Sequence, residues 1–269
     1  MNWPVFFTRL GSAIVFAIVM MFGLLYDNYM AIIALAVLIQ FLCIKEFMPL
    51  MANIFPETNF PQWLTWLMQL CGLLILVSII SPESRMYFIA FTVPVLLLLL
   101  CVLQKKNTVL AGFSAIVGLL YISLPMAFLV TLRGIHFVIP LALILMIWMN
   151  DTMAYIVGSF IGKTPFSPIS PKKTWEGTAG GAILTIVGAA IWGYFSKMPQ
   201  YTMMDWMVLA LLAAVAGTAG DLLESKLKRL AGIKDSGNIM PGHGGALDRF
   251  DSLLVTLPFA FCYVILFMI

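Results

Sequence analysis

The sequence predicts an all-α polytopic membrane protein with about nine transmembrane helices, and two observations carry this prediction. Hydrophobic residues make up 62% of the 269 residues and charged residues only 10%, with a mean hydropathy of +1.03. A soluble domain is roughly 45–50% apolar and about 25% charged, so this chain has too few charges to cover a surface that faces water. In addition, apolar stretches of about 20 residues, the length that crosses a bilayer, recur along the chain.

The predicted spans follow one another with short polar connections. The first five are nearly free of ionisable groups, whereas the sixth, eighth and ninth carry carboxylates near one end. The ninth also contains Pro258, which removes a helix hydrogen bond and is expected to bend it. In chain order the spans are approximately 8–26, 29–48, 63–81, 86–104, 108–132, 136–158, 178–196, 205–223 and 250–268.

The lysines and arginines predict the orientation. With a cytoplasmic N-terminus, only Arg85, Arg133 and Lys197 fall outside, and the C-terminus then lies outside. This distribution is a strong positive-inside bias. The predicted inside set is Arg9, Lys45, Lys105, Lys106, Lys163, Lys172, Lys173, Lys226, Lys228, Arg229, Lys234 and Arg249.

The two halves of the chain differ in chemistry. Residues 1–134 are predicted to form a transmembrane scaffold or lipid-facing unit, because their loops are short and their spans apolar. Residues 135–269 are predicted to form the catalytic region, because polar groups enter the spans here. The two longest cytoplasmic loops, 159–177 and 224–249, both belong to this region.

Carboxylates converge on the cytoplasmic side of the second half. Asp151 lies late in the sixth span, Asp221 and Glu224 end the eighth, and Asp248 and Asp251 open the ninth. Ionisable groups at membrane depth are costly and usually mark a functional site. In each pair the spacing of three places both side chains on one helix face. Such hard oxygen ligands suit Mg²⁺, which takes one or two carboxylates and completes its shell with water and phosphate.

A glycine-rich loop connects these last two spans. His243 is flanked by glycines, including Gly244 and Gly245, and the N-terminus of the ninth helix follows. Glycine allows close approach to the backbone, and a helix N-terminus favours an anion. The loop therefore predicts a phosphate-binding cradle, although a flexible loop with basic topology signals is the open alternative. The surrounding basic residues are Lys226, Lys228, Arg229, Lys234 and Arg249.

The loop before the seventh span repeats this pattern. Ser170 and Thr174 supply hydroxyls, Lys172 and Lys173 supply ammonium groups, and a helix is expected to start at about Thr178. Lysines beside a helix N-terminus predict a second anion site. Positive-inside residues without a ligand are the alternative interpretation.

These residues resemble the bacterial phosphatidate cytidylyltransferases, also called CDP-diacylglycerol synthases. The resemblance rests on SKLKRLAGIKDSGNIMPGHGGALDRFD, residues 225–251, and on NDTMAYIVGSFIGK followed by SPKKTWEGTAGG upstream. It is firm over about 150–252, with Met240 and Ala246 as conservative departures. It implies transfer of CMP from CTP to phosphatidic acid with Mg²⁺, a second cation being possible. It also implies a homodimer in a bacterial inner membrane with the site facing the cytoplasm.

Residue by residue, the resemblance assigns Asp221 and Asp248 to the metal, and we expect Asp251 and Glu224 to tune or complete its shell. We expect Lys172, Lys173 and Arg249 to hold the triphosphate and the departing pyrophosphate. Small residues are expected to let helices approach closely beside Asp221. They are Ala213, Ala216, Gly217 and Gly220. The predicted substrate-binding set is Ser170, Thr174, Ser225, Lys228, Arg229, Lys234, His243, Gly244, Gly245 and Asp151.

Two other functions remain open from the residues alone. An ion-coupled transporter also places carboxylates in spans, although here they are one-sided and no internal repeat is evident. A CTP-dependent lipid-alcohol kinase would use similar groups with a neutral acceptor. Nucleic acid is not an expected partner, because the basic residues are spread over several loops, where anionic lipid explains them.

Overall fold

The computed structural model describes residues 3–81, 87–104, 107–196, 198–239 and 244–269. Within these ranges the chain forms ten α-helices and one two-stranded hairpin. The helices are α1 Trp3–Leu25, α2 Tyr29–Ile54, α3 Gln62–Ile80, α4 Tyr87–Val102, α5 Val109–Gly118, α6 Leu124–Ile135, α7 Val138–Ile161, α8 Trp175–Phe195, α9 Met203–Leu230 and α10 Leu247–Tyr263; the strands are β1 Pro165–Ser167 and β2 Ser170–Thr174. Two π-helical turns, Leu119–Ser123 and Val264–Met268, join α5 to α6 and extend α10.

The all-α, multi-pass class predicted from the sequence is confirmed. In the part of the chain that the structure describes, seven helical segments are long and apolar enough to cross a membrane. Two shorter apolar stretches, Leu10–Leu25 and Phe88–Val102, correspond to the predicted spans 8–26 and 86–104. The count of nine and the orientation of the termini stay predictions.

Both long predicted loops contain regular structure that the sequence did not predict. Helix α9 continues to Leu230, so the predicted loop 224–249 begins as helix. Hydropathy marks where apolar residues stop, whereas the Leu, Glu, Lys and Arg residues that follow are good helix formers. The loop 159–177 contains the hairpin β1–β2, which is too short to give a periodic signal.

The helices separate into two compact units. The first contains residues 1–137 together with 227–250, and the second contains 138–226 together with 251–269. Residues 227–250, which carry most of the resemblance described above for residues 225–251, thus belong to the same unit as the N-terminal helices. The predicted division of roles at residue 134 concerns function and stays a prediction.

In the first unit, α2 packs against α3, α5 and α6. Phe47 of α2 is buried in this core, and a Cβ at Gly118 would lie 2.7 Å from its ring. Because Gly118 has no side chain, the end of α5 can lie close to α2 at this point. The π-helical turn follows immediately. At the other end of α6, the Arg133 guanidinium donates to the carbonyl of Leu24 at 2.8 Å.

In the second unit, glycines set the helix contacts. A Cβ at Gly177 would lie 2.7 Å from the Ala154 carbonyl oxygen, so α8 meets the backbone of α7. A Cβ at Gly220 would lie 2.5 Å from the Asp251 carbonyl oxygen, so α9 meets α10 in the same way. The predicted close approach of helices beside Asp221 is confirmed at Gly220. The consequence is that a carboxylate-bearing turn of each helix is held rigidly.

Candidate active site

The hairpin presents the predicted lysines directly before a helix. Strands β1 and β2 are antiparallel, with Pro165 opposite Thr174 and Ser167 opposite Ser170. Thr174 then caps α8, its hydroxyl accepting a hydrogen bond from the N–H of Gly177 at 3.2 Å. Helix α8 therefore starts at Trp175, slightly earlier than predicted, because threonine is a good N-cap residue.

Glu176, in the first turn of α8, forms hydrogen bonds with the residues that lead into the hairpin. Its carboxylate accepts from the N–H of Lys163 at 3.1 Å, the N–H of Thr164 at 3.1 Å and the hydroxyl of Thr164 at 2.8 Å. A carboxylate in the first turn also interacts favourably with the helix dipole. Sequence reasoning missed Glu176, although an acidic residue in the first turn after a Thr cap is a recognisable signal of a helix start.

Lys173 and Asp221 form an ion pair between the end of β2 and α9. The two side chains are 31% and 28% exposed, so both charges are accessible to a ligand. The structure thus brings together a residue predicted to hold phosphate and a residue predicted to hold metal. The neighbouring Lys172 is exposed on the same strand.

The other carboxylates of the second unit differ in exposure. Glu224, one turn after Asp221 on α9, is fully buried. Asp251 is also buried, and its Oδ1 accepts from the N–H of Ser252 at 2.6 Å. Asp151 on α7 is exposed. Of the two carboxylates near the end of α9, Asp221 is therefore the accessible one, while Glu224 lies inside the packing.

In the first unit, a glycine ends α9 and starts the loop that connects α9 to α10, residues 231–246, here called the signature loop. Gly232 has φ +70°, its N–H donates to the Arg229 carbonyl at 3.1 Å, and the N–H of Ile233 donates to the Lys228 carbonyl at 3.0 Å. These two bonds make a Schellman motif, which requires a left-handed residue at this position. The Arg229 guanidinium adds a bond to the Ile233 carbonyl at 3.2 Å. The turn fixes the direction in which the loop leaves the helix.

Asp248, in the first turn of α10, is held by several donors. One oxygen forms an ion pair with Lys228, and the side chains are 8% and 11% exposed. Oδ2 accepts from the N–H of Ser236 at 2.9 Å, the hydroxyl of Ser236 at 3.0 Å and the N–H of Gly245 at 2.8 Å. Of the basic residues near the end of α9, Lys228 is thus the one that is buried and paired with the signature aspartate.

The N-terminus of α10 is bound by a carboxylate from the N-terminal part of the chain. Glu46 of α2 accepts from the N–H of Ala246 at 2.9 Å, the N–H of Leu247 at 2.9 Å and the hydroxyl of Ser236 at 2.7 Å. Sequence reasoning predicted that these helix N–H groups would face a phosphate. It missed Glu46, which lies inside a predicted span and for that reason alone was a candidate functional residue.

The remaining predicted residues lie around these contacts. Gly244 has φ +84°, a conformation that favours glycine. Ser225 is half-buried, whereas Lys234 and Arg249 are exposed. His243 lies outside the described residues, so its predicted role is untested.

The acidic residues are of the type that binds magnesium, but they are not arranged around one point as a complete set of ligands. Among the residues that the structure describes, no three His, Cys, Asp or Glu side chains converge on one point. Mg²⁺ does not need such a group, since it binds through one or two carboxylates with water and phosphate. Asp221 offers an accessible carboxylate beside Lys173. Asp248 is 8% exposed, its Oδ1 pairs with Lys228 and its Oδ2 accepts three hydrogen bonds, so a metal bound there would have to displace one of these partners. Sharing of one ion by these two residues stays a prediction.

An apolar groove lies next to the signature loop in the first unit. It has a volume of about 430 Å³ and is lined by α1, α2 and the side chains of Ile239 and Phe250. Phe250 packs against Phe16 of α1 with ring centroids 5.4 Å apart. A residue two positions after Asp248 thus forms part of the groove wall.

Comparison with known proteins covers almost the whole chain. Residues 7–267 match the model of the cytidylyltransferase family. A phosphatidate cytidylyltransferase of Bacillus subtilis (strain 168) is 37% identical over 216 residues, which cover 74% of this chain and 78% of that protein. The phosphatidate cytidylyltransferase of Staphylococcus haemolyticus (strain JCSC1435) is 42% identical over 128 residues, covering 46% of this chain and 47% of that protein. That of Synechocystis sp. is 42% identical over 120 residues, covering 45% and 41%.

Proposed function

This chain belongs to the cytidylyltransferase family, and from that premise we propose that it transfers CMP from CTP to phosphatidic acid, forming CDP-diacylglycerol and pyrophosphate. The observation that carries the proposal is the match over residues 7–267 to a family whose relatives bear this activity in their names. The geometry is compatible with this activity, since Lys173, at the end of β2 and just before helix α8, forms an accessible ion pair with Asp221 of α9.

The reaction joins two anions. An oxygen of the phosphatidic acid phosphate attacks the α-phosphorus of CTP, a new P–O bond forms, and the bond to the bridging oxygen breaks. Pyrophosphate leaves with that electron pair, so no covalent enzyme intermediate is needed. Because the reactants repel each other, catalysis must come mainly from positioning and charge neutralisation.

Lysines supply the positive charge in this proposal. Lys173 neutralises Asp221 in the absence of substrate, and its ammonium group would turn to a phosphate of CTP when the nucleotide binds. Lys172 and Arg249, both exposed, would hold the triphosphate and the departing pyrophosphate. Ser170, Thr174 and Lys234 would contribute further donors.

Asp221 and Asp248 are the residues that would hold magnesium. When bound, Mg²⁺ neutralises charge on phosphate oxygens and orients them for in-line displacement. We propose that the buried Glu224 and Asp251 support this site by their negative charge, which would also favour a second cation. Lys228 keeps Asp248 in place, and Asp221 keeps an open side toward solvent.

The apolar groove supports the lipid part of the proposal. An acyl chain of phosphatidic acid would lie along α1 and α2, with its phosphate near the loop that carries Ile239 and the first turn of α10 that carries Phe250. A wall that is apolar apart from Thr8 and Ser12 suits a lipid chain, because burying CH₂ groups there is favourable and needs no polar partner.

Location and assembly complete the proposal. The protein is a multi-pass membrane protein, and we place its site at the cytoplasmic face of a bacterial inner membrane, on the basis of the positive-inside bias. We also propose the homodimer that the family resemblance implies. Mass measurement of the purified protein in detergent tests it.

The decisive experiment uses the purified chain in mixed micelles with CTP, Mg²⁺ and phosphatidic acid. We expect CDP-diacylglycerol and pyrophosphate in equal amounts, no product without phosphatidic acid, and loss of product with EDTA that excess Mg²⁺ restores. Formation of CDP from CTP would instead indicate a lipid kinase. Solute flux into liposomes without nucleotide, together with no CTP consumption, would indicate a transporter.

A further inference from the structure

Glu46 is a buried carboxylate that binds the signature loop at three points. It is 7% exposed and accepts from the N–H groups of Ala246 and Leu247 and from the hydroxyl of Ser236. A buried charge is costly unless it is hydrogen-bonded, and here the donors include the first N–H groups of a helix. All three donors come from the loop between α9 and α10 or from the helix start.

Two glycines of the loop make room for this carboxylate. A Cβ at Gly237 would collide with Oε1 of Glu46, and a Cβ at Gly245 would collide with Oε2. The backbone therefore wraps around the side chain of Glu46 at both positions. The sequence predicted that a phosphate would approach the backbone of this glycine-rich loop. At Gly245, the group that lies against the backbone is the carboxylate of Glu46.

Ser236 connects Glu46 to Asp248. Its hydroxyl lies 2.7 Å from Oε2 of Glu46 and 3.0 Å from Oδ2 of Asp248, while its N–H donates to Asp248. A hydroxyl has one proton, so it can donate to only one of the two carboxylates at a time. The position of Asp248 is thus coupled to Glu46 through a single side chain and through the start of α10.

We propose that Glu46 is a positioning residue for the reaction: from α2 it fixes the start of α10 and, through Ser236, sets where the carboxylate of Asp248 points. The inference rests on the proposed function for the role of Asp248. Ser, Thr, Asp and Asn are the preferred local N-cap residues, whereas Ala246, which has no side-chain acceptor, occupies that position here. The cap is supplied from α2, which makes the geometry of the loop depend on the N-terminal helices.

The first test is Glu46→Gln, with Glu57→Gln as the matched control at an exposed position in the loop after α2. The glutamine keeps the shape but presents NH₂ to one of the donors. Because small misplacements of a reacting group cost roughly a hundredfold in rate, we expect kcat to fall by roughly ten- to a hundredfold. The KM for CTP rises severalfold, and the KM for phosphatidic acid stays within about twofold of wild type. Partial unfolding would lower the apparent kcat without moving either KM.

The second test is a double-mutant cycle with Ser236→Ala. This variant keeps the cap on α10 and removes only the side-chain link. If Ser236 transmits the effect of Glu46, the loss caused by Glu46→Gln in the Ser236→Ala background is several times smaller than in wild type. Losses that multiply independently would overturn the link through Ser236.

The third measurement does not depend on turnover. Hydrogen exchange at the amides of residues 245–247 should accelerate at least tenfold in Glu46→Gln and stay unchanged in Glu57→Gln. Unchanged exchange, or wild-type kcat and KM for CTP in Glu46→Gln, overturns the positioning role. Wild-type protein that forms no CDP-diacylglycerol refutes the proposed function instead, and the exchange result then still decides whether Glu46 organises the loop.

Discussion

The carboxylate of Glu46 accepts a hydrogen bond from the N–H of Leu247 at 2.9 Å, across 201 residues of chain. Residues from α2 and from the signature loop therefore belong to one compact unit. The N-terminal helices do more than present an apolar surface to lipid, since one of them contributes a buried charge to the loop before α10.

Asp221→Asn should separate catalysis from stability. The Lys173–Asp221 pair is partly exposed, and such pairs contribute about 0–1 kcal/mol, so we expect only a small change in Tm. Formation of CDP-diacylglycerol should fall by at least roughly a hundredfold, the scale on which a lost electrostatic contact to a transition state slows a reaction. Asp27→Asn, in the exposed connection after α1, is the control. Near-normal turnover by Asp221→Asn would remove this residue from the proposed metal site.

Asp248→Asn should be costly for folding as well as for activity. It leaves Lys228 buried opposite a neutral amide, and breaking a buried pair by removing one partner costs about 3–5 kcal/mol. The double variant Asp248→Asn/Lys228→Met removes the charge that was left behind and should be more stable than Asp248→Asn alone. Thermal unfolding in detergent measures both, and turnover should be absent in each. A double variant no more stable than the single one contradicts the buried pair.

Gly220→Ala should destabilise the second unit. The new methyl group would lie 2.5 Å from the carbonyl oxygen of Asp251, and overpacking of this kind costs about 1–3 kcal/mol. Gly217→Ala is the matched control one turn earlier, because its Cβ would lie 3.4 Å from the Thr256 hydroxyl, close to ordinary contact. We expect a lower Tm for the first variant and little change for the second. Equal changes in Tm for the two variants would mean that helix propensity, and not the contact with α10, determines the change in stability.

Glu176→Gln should loosen the hairpin that carries the lysines. The change replaces charged acceptors for the N–H groups of Lys163 and Thr164 with one neutral acceptor, and hydrogen bonds to a charged group are stronger than those to a neutral one. Proteolysis between α7 and α8 should become faster, and the KM for CTP should rise. Asp205→Asn, at the start of α9, tests whether any cap substitution has this effect. Unchanged proteolysis would show that the strands hold the hairpin without Glu176.

Val15→Trp should obstruct the apolar groove. Val15 lines the groove, whereas Val215 on α9 is just as exposed, 62% in both cases, and serves as the control site. We expect the KM for long-chain phosphatidic acid to rise severalfold in Val15→Trp with little change in the KM for CTP, since the obstruction removes acyl contact and leaves the nucleotide site intact. The same KM values in both tryptophan variants would exclude the groove as the acyl site.

Hydropathy and charge predicted the fold class, because both report directly on a lipid environment. The polar spacing likewise singled out Lys173 and Asp221, which the structure brings together. In both cases the relevant signal is local in sequence. Residues near one another along the chain reveal helix faces and helix ends without reference to distant partners.

The partners that sequence reasoning missed are distant in the chain. Nothing in the sequence around Glu46 points to the N–H groups of residues 246 and 247, since pairing over that distance depends on the packing of whole helices. For the same reason the sequence could not distinguish buried Lys228 from exposed Lys226 and Arg229. The hairpin was missed because β1 has only three residues and β2 only five, too few to show an alternating pattern.

The bond between α2 and α10 also constrains how the protein is made. Glu46 is synthesised long before the amides that it accepts from, and at about 5–20 residues per second the ribosome needs roughly 10–40 seconds to cover that interval. During this time the second helix has its carboxylate but not its donors, so water or a lipid headgroup must solvate it. Assembly of the loop before α10 is therefore among the last events of biogenesis, and a chain cut short before residue 246 keeps the Glu46 carboxylate without its two N–H donors from the start of α10.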